Sequence, residues 1–117
     1  ISGSGVQERY LDKTGVAKDL KDIVAAYRAG DRDAGEIMND FFEHFGIVMA
    51  NLINVLDPHK IVLGGGLSNI DELYTTGVER VKKHVFKDDP TVNIVKNSLG
   101  DSAGVFGVAL LGENEKA

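Results

Sequence analysis

Residues 60–69 read Lys60-Ile61-Val62-Leu63-Gly64-Gly65-Gly66-Leu67-Ser68-Asn69, a short apolar run that passes directly into three glycines. An unbroken β-branched run of this length is typical of a strand buried on both faces of a sheet. Glycines after such a strand let the backbone come close to a ligand, and the amides at the start of a following helix favour anionic or polar groups. The stretch therefore predicts a buried strand, a tight loop at its carboxyl end, and a helix over residues 70–86.

Two shorter helices are predicted near the start of the chain. The first covers residues 2–13, with Ser2 or Ser4 as its N-cap, and Thr14-Gly15 ends it. The second covers residues 17–29 and presents an apolar face before Gly30 stops it. Both are short enough to need packing against a larger element.

A long third helix precedes the strand. Asp31 or Asp33 opens it, and Asp57-Pro58 ends it, because the residue before a proline avoids the helical region. Its apolar residues recur at spacings of three and four, as one helical face requires. This spacing predicts core contacts for one stripe of residues: Ala34, Ile37, Met38, Phe41, Phe42, Phe45, Val48, Met49, Leu52, Ile53 and Leu56.

The second half of the chain repeats the strand–loop–helix order. Residues 91–95 predict a second strand, and residues 99–104 lead into a last apolar helix through Leu111. A βαβα order implies parallel strands, so the fold class is α/β, helix-rich, with two short parallel strands. Because a two-stranded parallel sheet alone is marginal, we expect more sheet upstream of Ile1 and interpret the chain as the back part of a larger domain.

Composition excludes several classes of protein. The 117 residues are 43% hydrophobic and 26% charged, which is enough to bury a core and argues against wholesale disorder. A net charge of −5 without a Lys/Arg-rich run disfavours nucleic acid and an anionic membrane as partners. The absence of Cys excludes disulfides, thiolate zinc sites and cysteine nucleophiles. No apolar stretch approaches the roughly 20 residues that span a bilayer.

Glycines mark three candidate binding segments. The run at residues 64–66 fits either a nucleotide or phosphate contact or a tight strand-to-helix turn, but it matches neither the dinucleotide-binding nor the P-loop spacing. Ser2-Gly3-Ser4-Gly5 is similar to a phosphate cradle, although an N-cap gives the same pattern. In Gly100-Asp101-Ser102-Ala103-Gly104, the Asp101 carboxylate is expected to cap a helix.

No catalytic or metal-binding set can be assembled from this chain. His44 is predicted to be solvated, His59 lies beside a proline in a turn, and His84 is on a Lys-rich face, so no two share a metal-ligand spacing. No Ser/His/Asp set is evident either. Acidic residues at helical spacing in the third helix are typical of a solvated face: Glu36, Asp40 and Glu43.

Four segments of the chain together resemble the ROK family, specifically its fructokinase/mannokinase and N-acetylglucosamine kinase branch. They occur in the order and spacing of that family, and the similarity extends over almost the whole chain. The segments are Ile1-Ser2-Gly3-Ser4-Gly5, Asn54-Val55-Leu56-Asp57-Pro58, Ile61-Val62-Leu63-Gly64-Gly65-Gly66-Leu67-Ser68-Asn69 and Gly100-Asp101-Ser102-Ala103-Gly104-Val105-Phe106-Gly107.

This resemblance implies the actin/hexokinase/Hsp70 fold, in which two ribonuclease-H-like domains close on ATP and a sugar. Residues 1–117 would then be the C-terminal segment of the second, nucleotide-binding domain. The helix-start segment with Gly3 and Ser4 approaches the nucleotide, residues 30–34 line the adenine pocket, and the helix after Asp101 braces domain closure. The glycine motif that lies against the adenosine is Gly64, Gly65, Gly66, Leu67 and Ser68.

The resemblance implies ATP and Mg²⁺ as cofactors, and zinc held by residues outside this chain. Family motifs that the chain does not carry are the Asp-x-Gly-Gly-Thr phosphate loop, the Asn-Asp motif with the catalytic base, and the sugar-binding Glu-x-Gly-His. The zinc motif Cys-x-Cys-Gly-x-x-Gly-Cys is expected to end a few residues before Ile1. Because general-base catalysis needs a carboxylate in reach of the sugar hydroxyl, we expect the fragment alone to be inactive.

The leading prediction is therefore a fragment of a cytoplasmic, homodimeric, ATP-dependent hexose kinase that acts on fructose, mannose, glucose or an N-acetylhexosamine. The alternative is a sugar-sensing ROK transcriptional regulator without kinase activity. The intact glycine run at residues 64–66 favours the kinase branch, because the regulators often lose it. A third interpretation is a stand-alone interaction module. We expect instead that the isolated segment exposes apolar surface or self-associates, because its sheet lacks neighbouring strands.

Overall fold

The computed structural model describes residues 2–86, 91–97 and 107–112. Its helices are α1 (Gly3–Thr14), α2 (Leu20–Arg28), α3 (Arg32–Leu56) and α4 (Thr76–His84). Its strands are β1 (Lys60–Gly64), β2 (Ile94–Lys96) and β3 (Gly107–Leu111), and two 3₁₀ turns at Gly66–Asn69 and Asp71–Tyr74 connect β1 to α4. The predicted fold class, a helix-rich α/β unit, is confirmed.

Side-chain caps begin the first three helices. The N–H of Gly5 donates to Ser2 Oγ at 3.1 Å, so Ser2 rather than Ser4 is the N-cap of α1. Asp31 rather than Asp33 caps α3 in the same way, and Asp19 caps α2, which begins three residues later than predicted. Asp57 ends α3 with φ 44°, a left-handed conformation that Asp tolerates better than most residues.

The core lies where α3 meets the other three helices. Most of the predicted stripe of α3 is buried, and Phe42 and Phe45 are at most 1% exposed. The α3–α4 crossing is close: a Cβ added to Gly46 would lie 2.7 Å from Cβ of Arg80. Leu56 was expected in the core but is 57% exposed. Asn54 binds the backbone of His84 and Phe86 at the end of α4, so α4 has no further turn to cover Leu56.

The sheet has the strand order β2-β1-β3. β1 and β2 pair in parallel, as the sequence predicts, with Ile61 opposite Ile94, but β2 covers Ile94–Lys96 and not the predicted residues 91–95. β3 pairs antiparallel with β1, with Ile61 opposite Leu110, so the last helix predicted through Leu111 is wrong over Gly107–Leu111. Periodicity does not distinguish a short apolar helix from a strand, and the free edge of β1 offers hydrogen bonds that a strand satisfies. Residues 98–106 lie outside the described residues.

The helix predicted over residues 70–86 is also partly wrong. It begins with Ile70 in an extended conformation (φ −80°, ψ 104°) and the second 3₁₀ turn, Asp71–Tyr74, and only Thr76–His84 is α-helical. The apolar spacing was right, since Leu73 and Val81 are fully buried. In the part of the chain that the structure describes, no helix combines the length and apolar character needed to cross a membrane.

Candidate functional site

The glycine loop that follows β1 has a backbone shape that needs glycine. Gly65 has φ 83° and ψ −177°, a region that residues with a Cβ essentially do not occupy. Gly66 is exposed and outside the positive-φ region, and no heavy atom lies within 4 Å of the place where its Cβ would be. Gly65 therefore shapes the loop, whereas Gly66 leaves space in front of it.

Hydrogen bonds from inside the protein hold this loop. Ser68 is 1% exposed, and its hydroxyl donates to the carbonyl of Gly65 at 2.5 Å. The Tyr74 hydroxyl donates to the carbonyl of Ser68 at 2.6 Å. Burial, helped by the negative charge of Asp71, raises the pKa of Tyr74 to about 12, so this donor keeps its proton at neutral pH. The loop is thus ordered before any ligand is bound.

A cavity of about 530 Å³ opens between this loop and the first two helices. This volume is in the usual range for a small-molecule site. Its walls combine the apolar side chains of α2 and the loop with a few polar groups. The residues that line it are Gln7 from α1, the cap Asp19, Leu20, Lys21, Val24 and Arg28 from α2, and Gly66, Asn69 and Ile70 from the loop.

An ion pair joins the two sides of this cavity. Arg28 Nε donates to one carboxylate oxygen of Glu72 at 2.9 Å, and Arg28 Nη2 donates to the other at 2.8 Å. The hydrogen bonds from Arg28 hold the pKa of the Glu72 carboxyl below its usual value, against the opposing effect of desolvation. The two residues are 44 positions apart in the sequence. Because their contact is bidentate, the pair is stronger than a typical surface ion pair.

The start of α1 borders the same region. A Cβ added to Gly3 would lie 3.2 Å from Cδ2 of Leu20, and Gln7 Oε1 accepts a hydrogen bond from the Leu20 N–H at 2.9 Å. Ser4 lines a neighbouring cavity of about 460 Å³, which shares Gln7 and Asp19 with the first. The structure therefore places Ser4 and Gly66, from two of the three predicted glycine segments, at adjacent cavities that share Gln7 and Asp19.

The predicted site residues divide into three groups. Gly66 faces the first cavity, and Gly3 and Ser4 lie beside it. Gly65 and Ser68 determine the shape of the loop. Gly64 is the last residue of β1, and Leu67 is 2% exposed and packs in the core.

Two other segments were named from the sequence, and the structure describes only the first of them, residues 30–34. Within the described ranges, residues 30–34 do not line the first cavity: Gly30 forms a turn at φ 90° and Asp31 caps α3. The segment from Gly100 to Phe106, with Asp101, lies outside the described residues. Whether either segment contacts a nucleotide stays a prediction.

Sequence reasoning missed most of the cavity wall. The apolar face of α2, with Leu20 and Val24, predicted core packing, and its spacing is the same whether a helix face packs on protein or lines a cavity. The pairing of Arg28 with Glu72 had no local signal, because the two residues are far apart in sequence. Only the order of helix, strand and glycine loop pointed to this end of the sheet.

His44 and three acidic residues lie on the solvent side of α3, and His84 is the last residue of α4. His44 is exposed, as predicted, and His84 Nε2 lies 3.4 Å from an oxygen of Glu43. Among the residues that the structure describes, no group of three His, Cys, Asp or Glu could hold a metal ion. The acidic residues of α3 stay partly exposed and form ion pairs: Glu36 with Lys13 at 2.6 Å, Asp40 with Arg9 at 2.8 Å and Glu43 with Lys83 at 3.8 Å.

Small-molecule sites of α/β proteins commonly lie where a parallel strand ends in a loop beside a cavity, and the glycine loop after β1 has this arrangement. The family model described as ROK family matches residues 1–115, and the chain belongs to the ROK family, which has the actin/hexokinase-like fold. The resemblance found in the sequence is therefore confirmed.

Relatives of known name point in the same direction. The chain is 40% identical over 111 residues, 95% of its length, to proteins named N-acetyl-D-glucosamine kinase from Mannheimia succiniciproducens, Vibrio cholerae and Pasteurella multocida. The chain spans only 36–37% of the length of these curated relatives. It therefore corresponds to just over a third of each whole kinase.

Proposed function

We propose that this chain is the nucleotide-binding portion of an ATP-dependent sugar kinase, the C-terminal part of its second domain. The observation that carries the proposal is the ordered glycine loop beside a cavity of about 530 Å³ in a ROK-family chain. The whole protein would transfer a phosphoryl group from ATP to a sugar hydroxyl. We further propose that it does so in the cytoplasm, where ATP is available, as a homodimer.

The residues of this chain contribute binding and orientation. The apolar side chains of Leu20, Val24 and Ile70 fit the base and ribose of a nucleotide better than its phosphates. The open space at Gly66 lets the ligand approach the backbone of the loop. The hydrogen bonds of Ser68 and Tyr74 keep the loop in one shape, so little ordering is needed when the nucleotide binds.

The chemical step is assigned to parts of the protein outside this chain. A bound Mg²⁺ neutralises charge on the transferring phosphate in reactions of this type. The described residues do not fit a metal site, since no suitable cluster is present among them, and no described carboxylate is assigned as general base. We propose that Mg²⁺ and zinc, together with the catalytic base, belong to the remaining length of the kinase.

The sugar is proposed to be an N-acetylhexosamine. The relatives at 40% identity are named N-acetyl-D-glucosamine kinases, which favours this sugar over fructose, mannose and glucose. The residues that read the sugar are expected outside this chain, so the sugar has to be identified by assay.

The experiment measures ADP release by the intact protein from Mg·ATP with each of these four sugars, in wild type and Gly66→Val. A side chain at this cavity-lining position would take up space open to the ligand, because nothing lies within 4 Å of its Cβ. We expect sugar-dependent turnover, with a KM for ATP raised about tenfold or more and the KM for sugar unchanged. Gly35→Val is the matched control, since a Cβ there is equally free of contacts but lies on α3.

Two results would contradict the proposal. Turnover with a KM for ATP that Gly66→Val leaves unchanged would place the nucleotide elsewhere. Absence of turnover with every sugar, combined with retained sugar binding, would favour the sugar-sensing ROK regulator instead.

A further inference from the structure

The ion pair between Arg28 and Glu72 differs from the other ion pairs of the described residues. Two nitrogens of the Arg28 guanidinium, Nε and Nη2, donate to the two carboxylate oxygens of Glu72 at 2.9 and 2.8 Å. The Glu72 side chain is only 21% exposed. By contrast, Arg9 and Asp40 also approach to 2.8 Å, but through one contact and with both side chains more than half exposed. Because the Arg28 side chain is 48% exposed, what distinguishes the pair is its two-pronged geometry and the partial burial of Glu72.

Arg28 lines the cavity, and Glu72 lies in the turn that follows Ile70 on its other side. Arg28 is the last residue of α2 and itself lines the cavity, in the same helix as Leu20 and Val24. Glu72 lies in the second 3₁₀ turn, two residues after Ile70, which lines the other wall. The pair thus fixes how far α2 lies from the loop.

The ion pair is also linked to the glycine loop, through the 3₁₀ turn that contains both Glu72 and Tyr74. Glu72 and Tyr74 are in the same 3₁₀ turn, and the Tyr74 hydroxyl donates to the carbonyl of Ser68 at 2.6 Å. Ser68 in turn binds the carbonyl of Gly65. A shift of Glu72 would therefore move the turn that holds the loop.

We propose that Arg28 and Glu72 are positioning residues, whose ion pair sets the width of the nucleotide cavity by holding α2 against the 3₁₀ turn after the glycine loop. This inference rests on the proposed function, because it assigns the pair a role in nucleotide binding. The residues act through the walls of the site and not on the reacting atoms.

The test titrates the intact protein with MgADP by calorimetry and measures ADP release from Mg·ATP. Glu72→Gln keeps the shape of the side chain but removes the charge. We expect its Kd for MgADP and its KM for ATP to rise about tenfold, with kcat and the KM for sugar changed less than about twofold. Arg28→Lys keeps the charge but loses the two-pronged contact, so an intermediate increase is expected.

Asp40→Asn is the matched control, because it breaks the Arg9–Asp40 pair between α1 and α3, away from the cavity. A purely structural role predicts the same effect from Asp40→Asn and Glu72→Gln, or a loss of thermal stability without a change in Kd. Either result, with wild type binding MgADP normally, would overturn the positioning role alone. If wild type itself bound no MgADP, the proposed function would fail and this inference with it. Should Glu72→Gln not fold, Arg28→Lys carries the same comparison.

Discussion

Replacing Gly65 by alanine tests the backbone conformation on which the glycine loop depends. At φ 83° and ψ −177°, a Cβ clashes with the residue's own backbone, and such a strained residue costs about 1–3 kcal/mol. Alanine also restricts the unfolded chain, which stabilises the folded state by about 0.4–1 kcal/mol. We therefore expect the free energy of unfolding to fall by about 1–2 kcal/mol.

Urea unfolding of the intact protein, followed by circular dichroism, measures this change. With a slope near 2 kcal/mol per M, the midpoint should move to lower urea by about 0.5–1 M. Gly66→Ala is the matched control from the next position. Its φ is not positive and its Cβ meets nothing within 4 Å, so we expect a midpoint equal to or slightly above that of wild type.

The variant Gly65→Asn distinguishes the left-handed helical conformation from the extended, positive-φ conformation of Gly65. Asparagine tolerates the left-handed helical region, but it does not tolerate positive φ combined with ψ near 180°. Gly65→Asn should therefore be as destabilising as Gly65→Ala. A Gly65→Ala midpoint equal to that of Gly66→Ala, or full rescue by asparagine, would refute the conformation assigned to Gly65.

Two further tests probe the packing of α3 against α4 and the stability of the folded protein at alkaline pH. Gly46→Ala should lower the free energy of unfolding by about 1 kcal/mol or more, because its Cβ would lie 2.7–2.9 Å from Arg80, whereas Gly35→Ala in the same helix should raise it by about 0.5–1 kcal/mol. Equal midpoints for these two variants in urea would contradict a close α3–α4 crossing. Since burial raises the pKa of Tyr74 to about 12, the contribution of the protonated side chain to the free energy of unfolding is fully present below about pH 10 and is lost as pH rises toward 12. Tyr74→Phe should be less stable than wild type near neutral pH, because it loses the hydrogen bond to Ser68. Between about pH 9.5 and 11.5, however, its free energy of unfolding should fall less than that of wild type. The same fall in wild type and Tyr74→Phe would argue against a raised pKa.

Local chemistry made much of the helical part predictable. A hydroxyl or carboxylate at a helix start satisfies backbone N–H groups within three residues, so Ser2 and Asp31 could be named as caps from sequence. The stripe on α3 repeats every three or four positions because the helix places those residues on one face, and it is buried or half-buried except at Leu56. That exception depends on where α4 ends, which is a property of another element.

The candidate site was only half predictable. The glycine run after β1 drew attention to Gly65 and Gly66 because their residue type has a backbone consequence wherever it occurs. The opposite wall, with Leu20 and Val24, has an apolar spacing that equally fits a core helix. Nothing local distinguishes a face that lines a cavity from one that packs on protein.

The sequence by itself determined the first three helices, the strand β1 with its parallel partner, the position of the glycine loop, and membership of the ROK family, although β1 alternates between buried and half-buried residues and is not buried on both faces. The tertiary structure decided that Gly107–Leu111 pairs with β1 as an antiparallel strand, and that Arg28 meets Glu72 across the cavity. The physical reason is the range of the interactions. Caps and periodicity act between residues a few positions apart, whereas a sheet edge and a cavity wall exist only when distant segments come together.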